Sequence, residues 1–263
     1  MILETIAEAT KERVAKAKEK IPYEKMRDMA IELASQQKSD FPFEKALSKE
    51  GISFICEVKK ASPSKGIIAE DFPYVEIGKD YERAGASCIS VLTEPSFFMG
   101  DNAYLTEISK CVNIPIIRKD FVVDAYQIYE AKVIGASCVL LICSLLDKIT
   151  LSEYLEICNH LGLSALVEAH DEKEIEDAIS AGARIIGVNN RNLRTFEVDI
   201  TNSVRLRNLV PENILFVAES GIRTAEDIKV LVDAGVNGVL IGETLMRSKD
   251  KKAMLDDLKR LAG

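Results

Sequence analysis

A chain of 263 residues, 47% of them hydrophobic, is long enough to bury a large core, since a domain of this size hides roughly 70 to 75% of its unfolded surface. Its 34 basic and 42 acidic side chains leave a net charge of −8, which argues against a broad surface for nucleic acid or anionic membrane. No apolar run approaches the roughly 20 residues that span a bilayer, and the charged amphipathic stretch 1–20 is not a signal peptide, so a cytoplasmic protein is expected.

Residues 2–17 and 23–33 show helical periodicity, broken near Ile21-Pro22. They precede any strand signal, and the pattern leaves two placements open: a plug under the fold, or a wall beside a site. The first strand signal is I-S-F-I-C-E-V-K-K-A-S-P-S-K-G at 52–66. Ile52, Phe54 and Ile55 read as a buried strand, and Glu57 and Lys59 project to one side of it at a period of two. An acid and a base at the end of an interior strand cost free energy unless they are paired or used.

Further short apolar runs follow at 88–92, 115–118, 138–142, 164–168, 184–188, 214–218 and 238–241, all separated by helical patterns. The phrase R-A-G-A-S-C-I-S-V-L at 83–92 recurs as V-I-G-A-S-C-V-L-L-I at 133–142. Each copy joins a helix end to a continuous apolar strand through a glycine suited to a left-handed cap. Eight alternating β and α units predict an α/β fold, a (β/α)8 TIM barrel over 49–263 with an N-terminal helical extension over 1–48. The six cysteines stand singly, mostly within apolar runs and without C-x-x-C pairs, as expected of small buried hydrophobes in a reducing compartment.

Strand ends in such a barrel converge on one rim. In order they bring Glu57 and Lys59, Thr93 and Glu94, Lys119 with Asp120, Ser144, Glu168 with His170, Asn189 to Arg191, Glu219 with Ser220, and Gly242 with Glu243. Carboxylates and lysines in one ring bias each other's protonation, which is how proton-transfer groups are tuned. His170 precedes Asp171-Glu172, a helix start, and is expected in a loop or capping role. The glycine turns E-S-G-I at 219–222 and I-G-E-T-L-M at 241–246 occupy the recurrent phosphate position after strands seven and eight. Neither contains a Walker loop, a dinucleotide fingerprint or a metal-ligand set, so the phosphate is expected to belong to the substrate, with Lys59 or Arg191 adding positive charge.

The blocks E-V-K-K-A-S-P-S-K-G at 57–66, L-T-E at 92–94, F-F-M-G at 97–100, I-R-K-D-F at 117–121, L-V-E-A-H at 166–170, G-V-N-N-R-N-L-R-T-F at 187–196, A-E-S-G-I at 218–222 and I-G-E-T-L-M at 241–246 together resemble the indole-3-glycerol-phosphate synthases. The resemblance implies ring closure of a carboxyphenylamino deoxyribulose phosphate to indole-3-glycerol phosphate in tryptophan biosynthesis, with loss of carbon dioxide and water and no cofactor or metal. It implies Lys119 as general acid, Glu168 as general base, and Lys59 holding the anthranilate carboxylate or assisting the acid steps. Glu57 would orient the lysines, while Asn189 and Glu219 would hold the reacting hydroxyls. Ser62, Ser220, Gly221, Gly242 and Glu243 match the phosphate cradle, with Arg191, and Phe98, Phe121 and Leu140 the apolar slot for the aromatic ring.

Glu243 stands where some members carry a small hydroxyl residue, and Asp101 where Ser is frequent. The partner implied is a small sugar phosphate, with no nucleic acid or membrane, and a monomer or weak homodimer is expected. The competing expectations are another phosphate-binding barrel, such as phosphoribosylanthranilate isomerase or tryptophan synthase alpha subunit, and a non-catalytic barrel that binds.

Overall fold

The computed structural model describes residues 2–36, 40–192 and 197–262, so the close of the 187–196 motif, residues 193–196, lies outside the described residues. Eight parallel strands close into a barrel: β1 Ser53–Val58, β2 Cys88–Leu92, β3 Ile116–Lys119, β4 Cys138–Ile142, β5 Ser164–Ala169, β6 Ile185–Asn189, β7 Leu215–Glu219 and β8 Gly238–Ile241. Each pairs with its successor, and β8 closes on β1 through Ser53 opposite Gly238. The (β/α)8 expectation holds.

Strands β3, β5, β6 and β7 run one residue beyond the apolar runs. Lys119, Asn189 and Glu219 are therefore the last residues of their strands and not the first of their loops. The reason lies in the two-residue period of a strand. Ile55, Ile117, Leu166, Ile185, Val217 and Leu240 fill the barrel interior, and continuing the same phase delivers Glu57, Lys119, Glu168, Asn189, Glu219 and Gly242 at the mouth. Residues of the opposite phase, such as Phe54, Ile116, Val139, Phe216 and Val239, pack outward against the helices. Gly85 and Gly135 in the repeated phrases adopt φ 84° and 96°, the left-handed caps expected of them.

The extension resolves both placements that the sequence left open. Helix α1 Ile2–Lys20 brings Ile2, Leu3 and Ile6 to the mouth of the barrel, whereas α2 Tyr23–Gln36 packs outside, its Tyr23 ring edge-on to Tyr129 at 5.7 Å. The plug is a third helix, α3 Pro42–Leu47, which carries no periodicity long enough to be read. Its Phe43 and Leu47 are fully buried among Ile55, Ile117 and Val217 of the interior. Arg184 Nε and Nη2 clamp Glu44 at 2.9 and 2.8 Å, and Ser53 Oγ donates to Ala46 O at 2.9 Å.

This closed end of the barrel serves stability. Phe43→Ala should cost about 3 to 5 kcal/mol through the cavity it leaves, read as a lower urea midpoint. Turnover of the folded fraction should stay near wild type, because Phe43 sits at the end of the barrel opposite the rim.

Candidate active site

The rim encloses a cavity of about 390 Å³. Its lining includes Glu57, Lys59, Ser62, Phe98, Lys119, Phe121, Leu140, Glu168, Asn189, Arg191, Glu219, Ser220, Gly221, Gly242 and Glu243. Every site residue expected from the sequence therefore faces one space.

At its centre Lys119 Nζ lies 2.6 Å from Glu219 Oε2 and 3.3 Å from Glu168 Oε2. The other oxygen of Glu168 meets Asn189 Nδ2 at 3.4 Å and lies 3.3 Å from His170 Nε2. Burial opposes charge on Lys119, but Glu219, Glu168 and Glu57 outweigh it and raise its pKa above the ordinary ammonium value. Burial also raises both carboxyls. At Glu168 it is overcome by Lys119 and His170, which hold the group below the usual range. At Glu219 burial prevails over Lys119, with Glu168 adding repulsion, and the pKa rises. Two carboxyls on one ammonium are thus driven apart, one kept ionised and the other ready to hold a proton, the usual mark of divided acid–base work.

Lys59 pairs directly with Glu57. A Cβ on Gly242 would collide with Glu57 Oε2 and stand 2.8 Å from Lys59 Nζ, so the absence of a side chain there lets this pair lie against the end of β8. Similarly a Cβ on Gly187 would lie 2.5 Å from Glu219 Oε1. After β7, Ser220 and Gly221 take φ 67° and 83° in succession, and Asn190 Nδ2 fastens that turn by donating to Ser220 O at 3.2 Å. Neighbours Asn189 and Asn190 thus divide by strand phase, one facing the cavity and one bracing the wall. Phe98 and Phe121 form a tilted pair with centroids 5.8 Å apart.

Other rim residues serve the scaffold. Glu94 accepts the backbone N–H groups of Ser96, Phe97 and Phe98 at 2.9, 2.7 and 3.1 Å, which shapes the loop that presents Phe98. Thr93 donates to Asp120 at 2.9 Å and accepts from Arg118 Nε at 3.1 Å. Asp101 caps α4, Asn102–Ser109, by accepting the N–H of Ala103, a task that Ser performs equally well. The Glu243 carboxylate, awkward beside an anion, is met by Arg247 Nε at 3.1 Å and Lys65 Nζ at 3.6 Å.

Sequence reasoning missed several lining groups. Ile2, Leu3 and Ile6 close one side, and only their apolar spacing at the head of α1 hinted at it. Arg223 and Arg247 also face the cavity, each a few residues past a glycine turn. His170 lies in the loop expected of it, with its backbone N–H on Glu174 at 2.8 Å, but its ring has a second neighbour. Helix α5, Glu172–Ala181, is capped by Asp171, which accepts the Glu174 N–H, while His170 turns toward Glu168. The available signal was phase, since His170 follows Glu168 by two residues as Lys59 follows Glu57.

A closed parallel barrel with an ammonium bridging two buried carboxyls at its strand ends defines a (β/α)8 enzyme of the acid–base type. A sequence model of the family described as indole-3-glycerol phosphate synthase matches residues 3–258. The chain is 60% identical to the indole-3-glycerol phosphate synthase of Ruminiclostridium cellulolyticum, over 98% of this chain and 99% of that one. It is 55% identical to the enzyme of the same name from Lachnoclostridium phytofermentans, over 99% of this chain and all of that one. The chain belongs to the indole-3-glycerol phosphate synthase family. Among solved structures, 3-hexulose-6-phosphate synthase from Salmonella typhimurium superposes with a TM-score of 0.65 at 12% identity, over 80% of this chain and 98% of that one, a likeness of fold alone.

Proposed function

We propose that the chain converts 1-(2-carboxyphenylamino)-1-deoxyribulose 5-phosphate into indole-3-glycerol phosphate, carbon dioxide and water, as a decarboxylating lyase of tryptophan biosynthesis. The observation that carries this is Lys119 held between Glu219 and Glu168. Ring closure needs a proton on the ribulose carbonyl oxygen as the aromatic carbon attacks, and Lys119 supplies it. Loss of carbon dioxide restores the benzene ring. The new hydroxyl then takes a proton from Lys59 and leaves as water while a proton departs from the adjacent carbon, and Glu168, ionised and backed by Asn189, takes that proton.

Lys59 with Glu57 faces the anthranilate carboxylate. Ser62, Ser220, Gly221, Gly242 and Arg191 hold the phosphate, with Glu243 contributing through its backbone. Phe98, Phe121 and Leu140 grip the aromatic ring. Glu219 and Asn189 steady the reacting hydroxyls. The working unit is a single domain over 1–263, the barrel at 49–263 and the extension at 1–48, of which Ile2, Leu3 and Ile6 help wall the cavity. It acts in the cytoplasm as a monomer or weak homodimer, without nucleic acid, membrane or cofactor; its net charge of −8 suits a small substrate bound in a locally basic cleft.

A phosphoribosylanthranilate isomerase would place a cysteine and an aspartate as its acid–base pair. Among the described residues no cysteine lines the cavity. Incubation of the purified protein with the carboxyphenylamino sugar phosphate should release product with indole fluorescence. The chain has no tryptophan, so the signal rises against tyrosine alone. A folded sample that yields none, with or without added metals and cofactors, rules the assignment out.

A further inference from the structure

Resting on that function, we propose that His170 is a positioning residue for the base, fixing the Glu168 carboxylate from the side away from Lys119 and keeping it ionised for proton removal. Three contacts assemble the device. His170 Nε2 lies 3.3 Å from Glu168 Oε1, and His170 Nδ1 lies 3.1 Å from Glu174 Oε2. The same Glu174 oxygen accepts the His170 backbone N–H at 2.8 Å, so the imidazole is held at its ring and at its main chain together. Glu174 is fixed in turn at the third position of α5, whose cap is Asp171. The result is a row, Glu174, His170, Glu168, then Lys119, in which the group that orients the base is itself oriented.

The His170 ring sits between two carboxylates, Glu168 from β5 and Glu174 from α5. Cys143, whose thiol donates to Glu174 O at 3.6 Å, is pushed up to about 12 by burial and so stays neutral beside Glu174. Burial alone would favour a neutral imidazole. The hydrogen bonds and charges of Glu168 and Glu174 override it and raise the pKa to about 10. Near neutrality the ring is therefore an imidazolium, hydrogen-bonded through Nδ1 to Glu174 and set by charge against Glu168, 3.3 Å from Nε2. Without it, one oxygen of Glu168 keeps only Asn189, and the carboxylate is free to rotate wholly onto Lys119. That rotation would turn the base away from the substrate and leave the acid more tightly held.

The test uses three variants of the full chain and two readouts. His170→Ala should lower kcat about tenfold or more, as loss of a base's orientation does, with KM within about threefold. With the cation gone Glu168 binds a proton more readily, so the acid limb of kcat should move to higher pH. His170→Gln restores an N–H donor toward Glu168 without the charge. It should recover part of kcat while leaving the acid limb displaced, a split that a purely structural role would not produce.

The chain contains two histidines, His160 and His170, so the NMR signals of the ring are assigned by their loss in the Gln variant. In the wild type the His170 ring should stay protonated through the range of about pH 5 to 8 in which histidines normally titrate. Glu174→Gln should bring its titration down and shift the acid limb the same way, which keeps the test open if His170→Ala does not fold. A ring that titrates near the ordinary 6.5, or variants whose kcat and acid limb match wild type, overturns the role. Wild type without turnover overturns the proposed function and the role with it, whereas an active wild type beside an unchanged His170→Ala overturns the role alone.

Discussion

Replacing Lys119 with alanine should lower kcat by about 10² to 10⁴-fold, the range a positioned general acid contributes, while substrate affinity stays within about tenfold. The geometry explains the asymmetry. Lys119 Nζ is engaged by Glu219 and Glu168 at 2.6 and 3.3 Å, whereas in the proposed function the substrate anions fall to Lys59 and to the cradle across the rim. Removing it takes away the proton that the carbonyl oxygen needs and leaves binding groups in place. Lys119→Arg separates charge from proton, because a guanidinium keeps the positive centre but does not give up its proton near neutrality. Its kcat should stay low while KM remains near wild type. Single-turnover rates and equilibrium binding of a substrate analogue measure the two quantities separately, and a wild-type rate in the alanine variant would remove Lys119 from the mechanism.

The same ring bears on pH. Because Glu219, Glu168 and Glu57 overcome burial to raise the Lys119 pKa, the lysine is fully protonated at neutrality but reluctant to release its proton. Glu168 and Glu219 therefore set the strength of the acid as well as working beside it. Whatever draws a carboxylate away from Lys119 when substrate enters makes the lysine a better donor. This places its acid strength under the control of the groups that fix those carboxylates, Asn189 and His170 on one side and the close approach at Gly187 on the other.

Most of the barrel and the inner ring were legible because both obey one rule. The period of two that buries Ile117 inside the barrel also aims Lys119 into the mouth, and the same step leads from Leu166 to Glu168 and from Val217 to Glu219. What was not legible depends on contacts between segments distant in sequence. Six residues of α3 carry too little periodicity to be distinguished from a loop, yet they close the bottom of the barrel through Phe43 and Leu47. Glu94 resembles a rim carboxylate, and only the folded loop shows it spent on three backbone N–H groups. His170 was obscured by the helix start beside it, although its phase with Glu168 was visible. Arg118 lies inside an apolar strand, and nothing local indicates where its five N–H groups find acceptors.

Those acceptors make Asp120 a site where a large loss of stability is expected. Arg118 is fully buried and donates to Thr93 Oγ1, Gln127 O, Asn102 Oδ1, Glu130 Oε2 and Asp120 Oδ2 at 2.7 to 3.1 Å. Asp120 also accepts both terminal nitrogens of Arg13 from α1, at 2.9 and 2.7 Å, and the N–H of Phe121 at 2.8 Å. One carboxylate therefore joins the N-terminal extension, the strand that carries Lys119 and Phe121 of the cavity wall.

Asp120→Asn keeps the shape and removes the charge, leaving a buried guanidinium short of a partner, and should cost about 3 to 5 kcal/mol. The dependence on pH has a fixed sign. Burial would raise the Asp120 pKa, but Arg118 and Arg13 prevail and lower it below its ordinary 3.8. Its contribution is then complete above pH 3.8 and fades as acid protonates it in the folded state. Urea unfolding should show a large gap between wild type and Asp120→Asn at neutral pH that narrows in acid. Arg13→Ala leaves Asp120 with Arg118 and should cost less. Yet it frees α1 from the rim, so its effect should fall on KM, through Ile2, Leu3 and Ile6, more than on the urea midpoint. A KM unchanged in Arg13→Ala would mean that the extension holds its place over the cavity by apolar packing and by Lys18, whose Nζ lies 2.6 Å from Asp124, without need of the Asp120 clamp.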